Sequence, residues 1–216
     1  MIDILCNQLK QRLISSNQVA DFVSVIAGLA KPVSYNEEVP NGIEGERDSV
    51  LRFTIPVSTD TNIAPCGPYD LPDQALVPDS SQKGILYFED NGGQITGSRG
   101  SYGNSYVWNV RLVMWLNKNL ITGNAYSMIS ANVVTAIMSG IGAYDVNPKN
   151  NYPFTGLLVR GTNQVQGAQV FSRYTYKEEV RQYLMAPFEA YGLDLRLSFT
   201  LNPACVFPMP TGENLC

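Results

Sequence analysis

Residues Tyr106–Leu116, YVWNVRLVMWL, carry a strand pattern whose even positions are all apolar: Tyr106, Trp108, Val110, Leu112, Met114 and Leu116. The odd positions mix Asn109 and Arg111 with Val113 and Trp115. Side chains alternate across a strand, so the even set faces a core. The odd set is too apolar to be left wholly in water, so the strand needs cover on two sides. Downstream, Asn119 to Tyr144 hold no Asp, Glu, Lys or Arg. A surface helix of a small monomer ordinarily has a charged, wet face. Its absence predicts a subunit that buries part of its surface against neighbours.

Within that uncharged stretch the spacing predicts a helix over Ala125–Ile141. Ile129, Val133, Ala136, Ile137 and Ile141 form its core face. Ser127, Ser130, Ala131, Thr135 and Ser139 form a second face, small and neutral, which another backbone can approach closely. Ser127, Ser130, Ala131 and Thr135 are therefore candidate subunit-interface residues, together with Trp115 and Tyr102. Tryptophan and tyrosine are favoured at interfaces. Trp115 fits equally well beneath a helix or an arm.

Outward from this centre, Ile2–Ala30 reads as helix, broken near Ser15-Ser16, where Ser15 and Gln18 suit a capping box. A short strand at Val33 and Tyr35 leads into an acidic turn with Glu37, Glu38, Glu44, Glu46 and Asp48. Val50–Ser58 is a strand, and Pro56 marks it as an edge or a strand end. Thr59–Gly103 is rich in Gly and Pro and predicts an inserted arm. Within it, Asp90-Asn91-Gly92-Gly93 predicts the turn of a hairpin over Gly84–Thr96. Thr155–Arg160 is a strand. Thr175 and Glu178 suit a capping box opening a helix over Tyr176–Met185. Leu193–Leu201 alternates Leu, Leu, Leu, Phe, Leu against Asp, Arg, Ser, Thr, a strand with one dry face. The expected fold is α+β: one domain over residues 1–216, a mainly antiparallel sheet with an N-terminal and a central helix packed on it. The arm spans about 59–103, and residues 203–216 form an extended tail.

Composition narrows the function. The chain of 216 residues has no histidine, which excludes imidazole acid–base chemistry, His triads and His metal sites. Cys6, Cys66, Cys205 and Cys216 form no C-x-x-C pair, so no zinc or redox motif is present. The acidic turn matches no calcium-loop pattern. The run Gly97–Gly103 lacks the Lys-Ser/Thr of a phosphate loop and precedes a strand. No cofactor, metal or catalytic residue is expected. The net charge of −4 and the scattered basic residues argue against a nucleic-acid groove. Ala125–Tyr144 is too polar to span a membrane. Met1–Leu5 has no basic region or cleavage site, so the expected place of synthesis is the cytosol.

Three C-terminal stretches carry a resemblance. They are Val170–Tyr176 (VFSRYTY), Gln182–Phe188 (QYLMAPF) and Leu193–Phe199 (LDLRLSF). Together with the element order they resemble neck and tail structural proteins of tailed bacteriophages, and are similar to the tail-terminator and head–tail connector group. The resemblance implies a non-catalytic virion subunit, assembled in the host cytoplasm. It implies a cyclic ring of identical copies, a hexamer or dodecamer, around the DNA channel, seated on neck, portal or tail proteins. The alternative from the residues is a non-catalytic ligand- or carbohydrate-binding module using exposed aromatics.

Overall fold

The structure, a computed structural model, describes residues 2–39, 49–59, 75–98, 104–124, 130–142, 144–145 and 154–201. The strand Asn104–Asn117 (β4) is the spine of the sheet. It pairs antiparallel along its length with Gly84–Ser98 (β3) on one side and Phe188–Leu201 (β7) on the other. Beyond β3 lie Val25–Val39 (β1) and Ser49–Ser58 (β2); beyond β7 lie Phe154–Gln166 (β6) and Tyr144–Asp145 (β5). The order is β2-β1-β3-β4-β7-β6-β5, with β1–β3 as the parallel pair. A mainly antiparallel sheet with helices packed on it is the α+β architecture the sequence predicts.

The even face of β4 is dry. Val110, Leu112, Met114 and Leu116 are fully buried, beside Leu86 and Phe88 of β3 and the odd residues of β7 from Leu193 to Leu201. Each such side chain contributes ~2 kcal/mol of hydrophobic burial. The cover is helical. Ile2–Ile14 (α1) contributes Leu5, Leu9 and Leu13, one stripe at intervals of four. Ser130–Ile141 (α4) contributes Val133, Ile137 and Ile141. Arg12 Nη1 donates to the Ile141 carbonyl at 2.9 Å, tying α1 to the end of α4. There Gly142 takes the left-handed conformation (φ +73°) that stops the helix.

The odd face is covered by the chain itself; of the two placements left open for Trp115, an interface or beneath another part of its own chain, the second is found. After β6, the 3-10 turn Gly167–Phe171 brings Val170, Phe171, Tyr174 and Tyr176 over Ile85, Tyr87, Val113 and Trp115. A one-turn helix, Glu178–Arg181 (α5), and the turn Gln182–Leu184 complete this layer. Cover stops at mid-strand. Asn109 on the same face is exposed, and Val107 is half-buried.

Several sequence expectations are corrected. The helical reading of Ile2–Ala30 runs too far. α1 is followed by the short Asn17–Ala20 (α2), and Val25–Ala30 opens β1. Val25 and Ile26 fit a helical period, but pairing with Ile85 and Leu86 in the central sheet overrides it. Gly84–Thr96 is not a hairpin, and its residues are not part of an arm. They lie in β3, a continuous interior strand, and Asp90–Gly93 is a bulge in it. The turn residues serve the bulge instead: Gly92 has φ +82°, and its N–H donates to Asp90 Oδ1 at 2.7 Å. Of the arm's remaining residues, Thr59 donates to the Leu29 carbonyl and Ala75 bridges Val57 of β2, while 60–74 and 99–103 lie outside the described residues, as does the tail 203–216. Thr175 does not cap a helix; its backbone pairs with Thr54 of β2, and α5 begins at Glu178. Pro56 does lie on an edge strand, where its carbonyl accepts from Leu76 N–H at 2.8 Å.

Candidate functional site

Among the residues proposed for the interface, Trp115 has to be withdrawn. It is 1% exposed. Its indole N–H donates to the Tyr183 carbonyl at 2.6 Å, and its ring stacks on Phe188 at 5.3 Å between centroids. It holds the 167–188 layer against the sheet and is unreachable from outside. Tyr102 and Ser127 lie outside the described residues, and Ser130 is described only as the first residue of α4. Ala131 and Thr135 do lie together on the exposed face of α4.

That face meets α2 at a groove of about 360 Å³. Gln18, Asp21 and Phe22 line one wall; Asn132, Thr135 and Ala136 line the other. The helices come close because Gly140 has no side chain: a Cβ there would be 3.1 Å from Ser16 Cβ. Thr135 Oγ1 donates to the Ala131 carbonyl at 2.7 Å, so its donor is satisfied within its own helix. What α4 offers outward is small and uncharged. Leu120, in the short helix Lys118–Thr122 (α3), adds an apolar side chain 44% exposed.

The opposite face of the sheet carries a polar row that the sequence reading did not single out. β-Register places Asn109, Arg196 and Arg160 directly opposite one another on β4, β7 and β6. All are exposed, and neither arginine has a hydrogen bond or ion pair among the described residues. Like charges placed opposite in a sheet repel. The row borders a shallow basin of about 420 Å³, lined by Asn91, Gln94, Val107, Asn109 and Arg196 at the β3 bulge. The bulge shapes its floor. The Trp108 ring lies against Gly93 on the other face, where a Cβ would come within 2.3 Å of it, and its indole N–H donates to Asp90 Oδ1 at 2.7 Å.

Between the row and the covered end of this face lies a charge network. Arg111 donates to both oxygens of Asp194, at 2.7 and 3.2 Å. Glu89, 2% exposed, accepts from the Tyr174 hydroxyl at 2.7 Å, and its other oxygen faces Arg173 Nη1 at 3.6 Å. Burial raises the Glu89 carboxyl above its ordinary 4.5, against the Tyr174 hydrogen bond and the Arg173 charge. Burial and the Glu89 charge raise the Tyr174 and Tyr176 phenols. Arg173 closes the top by donating to the Asp90 carbonyl and to Asn91 Oδ1. Through Arg173 the network ties Glu89 and Tyr174 to Asp90 and Asn91, and so braces the bulge.

Only part of these surfaces is visible in the pattern. The alternation of Leu193–Leu201 turns Arg196 outward, and Asn109 stands in the mixed set of β4. Their alignment with Arg160 depends on a register that includes a shift in the β6–β7 pairing, between Gly161 and Asn163. Periodicity carries no record of that. No family model matches the chain, and no curated protein is found to be similar to it. Among the described residues no helix is long and apolar enough to cross a membrane.

Proposed function

We propose that the chain is a virion structural subunit that forms a ring in the neck or tail of a tailed bacteriophage, of the tail-terminator or head–tail connector type. One observation carries the assembly part of this reading. The described surface from Asn119 to Gly142 has no charge, yet Asn119, Leu120, Ala131, Asn132, Thr135 and Ser139 are exposed. Its small, uncharged side chains on α4 (Ala131, Thr135, Ser139) let another backbone approach closely without a charge to desolvate. The assignment to a phage particle rests on the resemblance in Val170–Phe199. Those residues supply the layer that locks Trp115 and the strand β7, so a subunit sharing them would share this core. Work by such a ring is mechanical: identical subunits close around the DNA channel and seat adjacent neck, portal or tail proteins.

The carbohydrate-binding reading has less support. Trp115 is sealed in the core. Trp108 lies on the face away from the polar basin, its N–H taken by Asp90. No described tryptophan faces the basin as a stacking platform.

Native mass spectrometry and negative-stain imaging of the purified chain test the proposal. Closed rings of uniform copy number are expected. A monomer at all concentrations that also fails to bind portal and tail proteins would overturn it.

A further inference from the structure

The open half of the odd sheet face holds more positive charge than the fold uses. Arg196 on β7 and Arg160 on β6 stand directly opposite in an antiparallel pair, where Cβ atoms are about 5 Å apart. Both side chains are exposed, and neither has a partner among the described residues. The described carboxylates of this region are already engaged. Asp194, two residues before Arg196 on the same face of β7, accepts from Arg111 on both oxygens. Asp90 accepts from the Trp108 indole and from the Gly92 N–H. Glu89 is buried against Tyr174 and Arg173.

Beside this pair, the basin at the β3 bulge offers hydrogen-bonding groups that the fold also leaves unused. Asn91, Gln94 and Asn109 line it with Arg196, and its volume of about 420 Å³ lies within the range of small-ligand sites. Asn91 is held in place: its Oδ1 accepts from Arg173 Nη2 at 2.6 Å, which leaves its amide N–H groups for other acceptors. The side-chain amides of Gln94 and Asn109 make no hydrogen bond among the described residues. An amide both donates and accepts, which suits a ligand hydroxyl. A guanidinium fork suits a carboxylate or phosphate. A neutral or cationic ligand would leave both arginines unpaired.

We infer that the basin and the Arg160–Arg196 pair form a binding site for a small hydroxylated oxyanion, a phosphate or carboxylate carried on a sugar or polyol. One guanidinium from each strand holds the anion, and the amides of Asn91, Gln94 and Asn109 meet the hydroxyl groups. The anion relieves a repulsion between the arginines that the fold leaves uncompensated. Recognition is by charge and hydrogen bond, without an aromatic platform. The basin is shallow, so affinity is modest, with a Kd of ~0.1–1 mM. The site lies on the opposite face of the sheet from α4 and is independent of the ring reading.

Saturation-transfer difference NMR on the full-length chain tests the site. It reads the ligand's own protons, so a protomer and a ring serve equally well. Glucose 6-phosphate and glucuronate are the charged probes, glucose the neutral one and inorganic phosphate a competitor, all in about 100 mM NaCl to screen weak surface attraction. A saturable signal is expected from at least one charged sugar and none from glucose; the tighter charged sugar assigns the anion as phosphate or carboxylate. Inorganic phosphate is expected to compete with at least ~tenfold lower affinity, since it does not reach the amides. Arg160→Gln and Arg196→Gln should each weaken binding at least ~tenfold, and Arg196→Lys at least ~threefold, because a point charge replaces the fork. Lys10→Gln, on α1 across the sheet, removes one charge elsewhere and should leave binding unchanged. Circular dichroism checks each variant's fold, and the lysine variant keeps the test decisive where a glutamine variant misfolds. Silence from both charged sugars, glucose binding as tightly as they do, or arginine variants that bind like wild type would overturn the site. An equal loss in Lys10→Gln would overturn it too, by reducing the effect to overall charge. Inorganic phosphate as tight as the sugars would overturn the hydroxylated-ligand assignment.

Discussion

Replacing Trp115 separates a core role from an interface role, because the two predict losses in different measurements. The side chain is sealed, stacks on Phe188 and donates to the Tyr183 carbonyl at 2.6 Å. Trp115→Phe keeps a ring for the stack but removes the N–H and part of the volume. The lost hydrogen bond costs ~1 kcal/mol, and the carbonyl left facing a ring costs a further ~1–2 kcal/mol. The total is ~2–3 kcal/mol, which lowers the melting temperature by ~4–12 °C for a chain of this size. Trp115→Ala also opens a cavity, and its cost rises to ~4–6 kcal/mol when truncation and hydrogen-bond losses are combined. Both costs belong to the protomer and persist at any protein concentration. Urea unfolding followed by far-UV circular dichroism, repeated at two protein concentrations, measures them. The near-ultraviolet signal of the buried indole should also vanish, while that of the half-buried Trp108 remains. A Trp115→Phe protein with an unchanged midpoint, but altered sedimentation, would refute the core placement and return Trp115 to the subunit surface.

Other outcomes follow from the odd face of the sheet. Glu89 holds its proton more tightly when folded, because burial raises its carboxyl above 4.5. The stability it contributes is therefore full below pH 4.5 and is lost as pH rises through the folded value. Glu89→Gln should flatten that part of the profile, and parallel urea midpoints for wild type and variant from about pH 4 to 8 would contradict the assignment. Gly93→Ala places a Cβ against the Trp108 ring, so the ring should swing off Asp90 at a cost of ~1–3 kcal/mol; an unmoved Trp108 indole N–H resonance would count against it. For the Arg111–Asp194 pair, a double-mutant cycle with Arg111→Met and Asp194→Asn should show a coupling of ~1–2 kcal/mol, and a coupling near zero would mean the pair is solvated.

The legible part of the fold is the part set by local alternation. β4 and β7 stand where their periods place them, because each keeps one set of side chains dry. The helix face at Val133, Ile137 and Ile141 was legible for the same reason. The errors share one cause, which is that local chemistry has two uses. Asp90-Asn91-Gly92-Gly93 suits a reversal or a bulge, and only the presence of β4 residues opposite both flanks selects the bulge. Val19–Ile26 suits a helix or a helix followed by a strand, and pairing to Ile85 and Leu86 decides. At the candidate surfaces the same division holds. The uncharged face of α4 was readable from composition. The Asn109–Arg196–Arg160 row was not, since it joins three strands through a register with a bulge in it.

The correction at Trp115 strengthens the case for a separate contact surface rather than weakening it. If the odd face of β4 had been left for a neighbour, its apolar half would have explained the assembly by itself. The chain instead covers that half with residues 167–188 and leaves exposed the polar half, beside two like charges whose repulsion is uncompensated among the described residues. Folding alone gives no reason to place Arg160 against Arg196, since a single Thr or Ser on either strand would remove the repulsion.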